Sequence, residues 1–150
     1  MKINIKTPIS TDKDLVEVFN LFNEEMFLYL TKNAPVTSLR YDGDFVGAEI
    51  HLKMNIPWKD DWVSIITERN VGVDVCFFVD EGKKLPFNIL DWRHTHIVRK
   101  TKFGVIIEDD IYFKSTNWFF DLFWWTTFIP QFLIRKIQYK NYLKKKLLLS

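Results

Sequence analysis

The sequence predicts an α+β fold in which a strongly curved antiparallel sheet wraps around one long C-terminal helix. Three observations predict it: one strand and two short helices come first, a run of strands follows without intervening helices, and a long apolar helix ends the chain. Consecutive strands without a crossover helix pair antiparallel, as a meander. The 150 residues suit a single domain, residues 1–150, whose core needs no disulfide or metal.

The N-terminal segment predicts one strand followed by two short helices. Residues 2–7 alternate polar and apolar side chains with the period of a strand. Thr11, with Asp14 three residues later, resembles a capping box at the start of a helix. Asn23 and the acidic residues after it favour the start of a second helix.

The middle of the chain shows β patterns as far as residue 113. Alternating or continuous apolar runs predict strands at residues 47–56, 62–68, 71–80, 92–102 and 103–113. Turn signals stand at Asp42-Gly43, Arg69-Asn70, Glu81-Gly82 and Lys102-Phe103-Gly104. These strands form the predicted meander.

The last segment, residues 117–147, predicts a long helix. Its first half is crowded with aromatic side chains, and its second half keeps an apolar stripe of Phe132, Leu133, Ile137 and Leu143 among lysines. Pro130 should kink this helix or lie in its first turn. Residues 118–134 are at the lower limit of a membrane span and include a charged residue, so burial against the sheet is the better interpretation, with transient membrane contact as an alternative.

Composition and charge exclude several classes of protein. A net charge of +2 is too small to indicate a nucleic-acid partner. Cys76 is the only cysteine, which excludes a disulfide framework, and the N-terminus has no signal-peptide pattern, so a cytoplasmic location is expected. Aromatic residues reach 17%, a composition typical of a large core or of a cavity lined by rings.

The segment most typical of a functional site is Trp92-Arg93-His94-Thr95-His96. On a strand, Trp92, His94 and His96 share one face, and Asp109 lies in the next strand, where a hairpin could bring it near an imidazole. Such a His–Asp pair is able to act as acid and base, or else to form a hydrogen-bonded polar layer in the sheet. We expect no metal site, because no third ligand follows the His-x-His pair at a motif spacing, and no cofactor.

Four segments together resemble a known family. They are Phe78-Val79-Asp80-Glu81, Pro86-Phe87, Trp92-Arg93-His94-Thr95-His96 and Asp109-Asp110-Ile111-Tyr112-Phe113. This pattern resembles the SRPBCC family, also called START-like or polyketide-cyclase-like, in its branch with a Trp-x-His-x-His motif. Two positions depart from the pattern: Leu85 replaces a glycine, and Val105 replaces a threonine that precedes the acid, which weakens any claim to a conserved polar relay.

The resemblance implies a helix-grip fold with a cavity between the sheet and the C-terminal helix. In this family such cavities accept lipids, sterols, polyketides and other apolar molecules. We expect the ligand-binding residues to be Trp92, His94, His96 and Asp109 of the sheet and Trp124, Phe128 and Phe132 of the helix. Which face of the sheet turns inward is not fixed by the sequence.

Three functions remain open at this level. The resemblance favours binding or carrying a small hydrophobic ligand without catalysis. The first alternative is a cyclase or hydratase that uses His94 or His96 with Asp109. The second is a regulatory module with a filled interior and an exposed apolar patch around residues 118–125.

Overall fold

The computed structural model describes residues 1–55 and 59–148. Within these ranges the elements follow in the order β1 (Lys2–Ser10), α1 (Leu15–Phe19), α2 (Glu24–Thr31), β2 (Val36–Tyr41), β3 (Glu49–Met54), β4 (Asp60–Val71), β5 (Val75–Lys84), β6 (Ile89–Thr101), β7 (Gly104–Ser115) and α3 (Trp118–Leu148). The predicted order of one strand, two short helices, a run of strands and a long helix is confirmed.

The strands form one antiparallel sheet in the order β1-β7-β6-β5-β4-β3-β2. The meander from β3 to β7 is the predicted one, β2 extends it at one edge, and β1 adds to the other edge by pairing with β7 from Lys2 opposite Tyr112 to Ser10 opposite Gly104. The register shifts twice between β4 and β5, at Val63/Ser64 and Ile66/Glu68. Because such bulges bend and twist a strand, they help the sheet to curve around α3.

Both short helices begin with a capping residue, but the first does so later than predicted. The Oγ1 atom of Thr11 accepts a hydrogen bond from the Lys13 amide, whereas Asp14 is the residue that precedes the helix. The amide of Asp14 donates to Glu17, which is the acid that the capping box requires. The prediction of Thr11 as the cap is therefore wrong, and that of Asn23, whose Oδ1 accepts from the Met26 amide, is confirmed.

Three details of the predicted sheet also change. Arg69-Asn70 is not a turn, because β4 continues to Val71 and both residues pair with β5. Strand β2 was not predicted, because its polar and half-buried side chains give a weak signal. Glu81-Gly82 is not a turn: β5 continues to Lys84, and Glu81 keeps its place opposite Arg93. The chain reverses at residues 85–88, where Asn88 adopts a φ of 61°. Residue 56, the last of one predicted strand, lies outside the described residues.

Helix α3 lies against the sheet, contacting β1 and β7, and also α2. Pro130 is inside this helix and not in its first turn. The predicted apolar stripe is wrong at two positions, since Leu133 and Ile137 are exposed while Phe132 and Leu143 are buried. No helix in the described part of the chain is long and apolar enough to cross a membrane.

The core divides into two apolar clusters along the concave side of the sheet. One surrounds α1 and α2 and contains Leu15, Phe19 and Phe78. The other surrounds the first half of α3 and contains Trp62 and Trp124. A polar cluster and a cavity lie where these two parts of the core meet.

Candidate functional site

The candidate site is a cavity of about 410 Å³ on the concave side of the sheet. Its wall is built by α2, α3 and strands β2 to β6, and most of its side chains are apolar or aromatic. The residues that line the cavity include Ala34, Pro35, Val36, Asp80, Trp92, His94, His96, Trp124, Thr127, Phe128, Gln131, Phe132, Arg135 and Tyr139. A volume of this size is within the range of small-molecule pockets.

Strand β6 supplies the polar floor of the cavity. Trp92, His94 and His96 alternate along it and all three line the cavity, so the face that carries them turns inward. The backbone register places Asp80 of β5 opposite His94, and Asp109 of β7 opposite His96. Because side chains of directly paired residues lie on the same face, two carboxylates flank the histidines from the two neighbouring strands.

The imidazoles and carboxylates form one connected network. His94 Nε2 lies 2.9 Å from Asp109 Oδ1, and His94 Nδ1 lies 3.5 Å from Asp80 Oδ2. His96 Nε2 lies 2.9 Å from the same Asp80 Oδ2. The remaining oxygen of Asp80 accepts a hydrogen bond of 2.9 Å from Trp92 Nε1. Each carboxylate therefore fixes the orientation of at least one imidazole.

Helix α3 closes the network from the opposite side. The hydroxyl of Tyr139 donates to Asp109 Oδ1 over 3.3 Å. The ring of Phe132 stands edge-on to His94 at a centroid distance of 5.2 Å. The Arg135 guanidinium lies over the Phe132 ring, 4.4 Å from its centre. The sheet and the helix thus share the polar cluster.

The network keeps its carboxylates ionised and one imidazole neutral at neutral pH. Burial raises the pKa of Asp80 and of Asp109, but the hydrogen bonds and charges of the two histidines, with Arg135 adding to the effect on Asp109, together outweigh it, and both pKa values fall below the usual range. Burial and the charge of His94 lower the pKa of His96 to about 4. Burial and the nearby Asp109 raise the pKa of Tyr139 well above its usual value, so this hydroxyl stays a donor.

Three buried polar atoms near the cavity have no hydrogen-bond partner among the described residues. They are His96 Nδ1, Asp109 Oδ2 and Trp124 Nε1. With its proton on Nε2 facing Asp80, a neutral His96 presents a lone pair at Nδ1, whereas Trp124 presents an N–H donor. An unsatisfied buried polar group costs about 1–3 kcal/mol, so these atoms favour a molecule that supplies partners.

The structure brings the residues singled out from the sequence to one place, with one difference among them. Trp92, His94 and His96 line the floor of the cavity, and Trp124, Phe128 and Phe132 line its helical wall. Asp109, only 1% exposed, lies behind His94 and outside the lining residues. Its position is that of a support for the histidine.

Sequence reasoning missed two members of the network. Asp80 was noted only within the family pattern, although an acid directly after the apolar run of residues 75–79 was a usable signal: the residues before it, Phe78 and Val79, are buried. Tyr139 lies among lysines in the second half of α3, and only its spacing of seven residues from Phe132 places it on the inner face.

The half-buried members of the wall indicate where the cavity meets solvent. Ala34 and Pro35 stand on the turn after α2, Val36 begins β2, and Thr127 and Gln131 stand on α3. The two groups belong to different elements that face the same cavity. Solvent therefore partly reaches this section of the wall.

The fold and the cavity together define a class: this chain has the Bet v 1-like helix-grip fold, in which a curved antiparallel sheet holds a long C-terminal helix. No family model matches the sequence, and no curated protein matches it either. The helix-grip fold that the SRPBCC resemblance implied is thus shown, whereas no sequence match supports the family itself.

Two solved structures illustrate the likeness. A structural-genomics protein from Nitrosospira multiformis superimposes with a TM-score of 0.59 at 10% identity, over 94% of both chains. The crystal structure of Ara h 8.0201 superimposes with a TM-score of 0.54 at 8% identity, over 97% of this chain and 99% of the other. At such identities the comparison shows the fold alone.

Proposed function

We propose that this protein binds or carries one small hydrophobic molecule in the cavity between the sheet and α3, without transforming it. The observation that carries the proposal is the cavity itself, about 410 Å³ in volume, walled mainly by rings and floored by a single polar cluster. This arrangement, apolar walls with a few convergent polar groups, is typical of ligand pockets. Its size, toward the lower end of that range, favours a single small molecule over a two-chain lipid.

The unpartnered polar atoms suggest which chemistry the ligand carries. Trp124 Nε1 requires an acceptor, and Nδ1 of a neutral His96 requires a donor. A hydroxyl group on an otherwise apolar skeleton supplies both functions, and a ring carbonyl supplies the first. We therefore favour hydroxylated or oxygenated aromatic and polycyclic molecules over plain hydrocarbons.

Catalysis of the cyclase or hydratase type is the second candidate, because each imidazole does lie within 2.9 Å of a carboxylate at the floor of the cavity. Its weakness is the protonation state. A general base is most effective when its pKa is near the working pH, whereas the pKa of His96 is lowered to about 4. The lowered pKa of His96 therefore favours a polar anchor over a proton-transfer pair at this residue.

Of the two features expected for a partner-binding module, the structure has one and lacks the other. It required a filled interior, and the described residues enclose a cavity instead. It also required exposed rings, and Trp118 and Phe119 are 76% and 59% exposed. We interpret this surface as a place of transient contact, with a membrane for instance, during exchange of an apolar ligand.

Two neighbouring threonines allow a matched test of the cavity. Thr126 is exposed and Thr127 lines the cavity, and both hydroxyls donate to the same backbone oxygen, that of Phe123. Phenylalanine at position 127 fills part of the cavity, whereas phenylalanine at position 126 adds the same ring outside it. Both variants lose a threonine hydrogen bond to Phe123 and gain a phenyl ring, but only Thr127→Phe reduces the cavity volume.

The experiment titrates wild type, Thr127→Phe and Thr126→Phe with 1-anilinonaphthalene-8-sulfonate and follows its fluorescence. We expect at least a roughly tenfold loss of affinity in Thr127→Phe, corresponding to about 1.4 kcal/mol, and none in Thr126→Phe. Equal affinity in all three proteins would place the probe on the surface and contradict the proposal. Circular dichroism melts check that both variants are folded.

A further inference from the structure

A cluster of metal-ligating side chains forms the floor of the cavity. One ligand atom each from Asp80, His94 and His96 lies within 4.8 Å of the other two. The two histidines come from one strand and the acid from its neighbour, so the sheet backbone fixes their spacing. The third ligand that the His-x-His pair lacks in the sequence is supplied by strand pairing.

The distances within this cluster agree with those between ligands of one metal ion. Asp80 Oδ2 lies 2.9 Å from His96 Nε2 and 3.5 Å from His94 Nδ1. Ligands held about 2.0–2.1 Å from a zinc ion stand about 3.3 Å apart at the tetrahedral angle. Only small side-chain shifts would separate these atoms to the required distance, and the proton of neutral His96 would move from Nε2 to Nδ1 so that Nε2 can bind the metal.

The groups behind the ligands are those that support a metal site. The second nitrogen of His94 faces Asp109 Oδ1 at 2.9 Å, whereas the second nitrogen of His96, 3.8 Å from the same oxygen, is too far away for a hydrogen bond. The second oxygen of Asp80 accepts from Trp92 Nε1 at 2.9 Å. Metal-bound histidines commonly direct their other nitrogen to a carboxylate in this way.

Charge and access point in the same direction. The side chains of Asp80 and Asp109 are 9% and 1% exposed, so two carboxylates share one buried site. Buried anions need compensating charge, and a divalent cation supplies two positive charges at once. All three ligand residues line the cavity, which leaves a coordination position directed toward its interior.

We propose that Asp80, His94 and His96 bind a divalent first-row transition metal at the floor of the cavity, with Asp109 and Trp92 as orienting groups. Two imidazoles and one carboxylate suit zinc, iron or cobalt, whereas magnesium and calcium prefer oxygen ligands alone. The proposal goes beyond apolar ligand binding and stands independently of it, since metal binding is measured with no organic ligand present.

The experiment uses the whole protein after dialysis against a chelator. Zn²⁺ and Co²⁺ are titrated calorimetrically, and the visible absorption of the Co²⁺ form is recorded for its coordination. We expect one metal per chain, a Co²⁺ spectrum of low coordination number, and at least about 100-fold weaker binding in Asp80→Asn and in His96→Gln. Trp92→Phe, which removes an orienting hydrogen bond, should weaken binding by about 10- to 100-fold.

His51 provides the matched control, because it also lies beside an acid, 3.5 Å from Asp61, but outside the cluster. His51→Gln should bind metal as tightly as wild type. Absence of saturable Zn²⁺ or Co²⁺ binding by the folded wild type would overturn the proposal, as would equal affinity in wild type and His96→Gln. If Asp80→Asn does not fold, His96→Gln and the wild-type Co²⁺ spectrum still decide the question.

Discussion

The inner and outer faces of helix α3 are both apolar, yet only the inner face is buried. Trp124, Phe128 and Phe132 on the inner face are between 1% and 6% exposed, whereas Leu133 and Ile137 on the outer face are 49% and 62% exposed. On the inner face Trp124 stacks on Phe128, and the Phe128 ring stands edge-on to Trp92 of the sheet. Which residues of α3 form the core is therefore determined by contact with the concave sheet and not by the hydrophobicity of the helix sequence.

The largest expected effect lies on the inner face. Trp124→Ala removes a buried ring that stacks on Phe128, and we expect it to lower the free energy of unfolding by about 3–5 kcal/mol. Leu133→Ala, on the outer face of the same helix, should change it by no more than about 0.5 kcal/mol. Urea denaturation followed by circular dichroism measures both. Comparable losses in the two variants would show that the outer face is also covered.

The second prediction concerns the polar floor beneath the inner face. The pKa of His96 is about 4 in the fold, below its ordinary 6.5, so between these values the unfolded chain binds more protons than the folded one. The contribution of His96 to the free energy of unfolding is therefore fully present above pH 6.5. It falls by up to roughly 3 kcal/mol as the pH is lowered toward 4. Urea denaturation at a series of pH values measures the slope.

Comparison of wild type with His96→Gln isolates the contribution of His96. The variant should flatten the slope between pH 6.5 and 4, because it removes the buried imidazole whose pKa is lowered. The lowered pKa values of Asp80 and Asp109 add a further loss at lower pH, because their stabilisation disappears as the carboxylates become protonated. An identical slope in wild type and His96→Gln would show that His96 is not buried as described.

The smallest effect is expected from charges placed on the outer face. Ile137→Lys replaces an exposed apolar side chain with a charged one that stays in solvent. It should alter the free energy of unfolding by no more than about 0.5 kcal/mol. Phe132→Lys, which buries the same charge beside His94, should destabilise the protein strongly or prevent folding. Thermal melts of the two variants compare the faces directly, and a large loss in Ile137→Lys would remove the distinction between them.

Much of the fold could be predicted from the sequence because its signals are local. The period of two in β1 and the apolar run of residues 118–134 identify a strand and a helix without knowledge of their partners. Strand β2 escaped prediction because its side chains are polar or half-buried, and its place at the edge of the sheet depends on pairing with β3. The true inner face of α3 escaped for the same reason, since it is defined by the sheet.

The site was predictable only in part. The alternation of Trp92, His94 and His96 placed them on one face, but the register that sets Asp80 opposite His94 is a property of strand pairing. Strands β5 and β6 pair without a register shift about the turn at residues 85–88, but the sequence signal placed that turn at Glu81-Gly82, and counting from there would have misaligned the pair. Tyr139 reaches Asp109 across 30 residues of sequence, and only the packed helix brings the two together.

The most direct test of the central claim is native mass spectrometry of the protein purified from its own host, followed by solvent extraction and identification of what was bound. We expect a defined apolar molecule carrying a hydroxyl or carbonyl group, at near-equal stoichiometry in wild type and in Thr126→Phe, and absent or depleted in Thr127→Phe. A protein that is empty in every preparation, and that no lipid, sterol or aromatic compound stabilises against heat, would contradict the account.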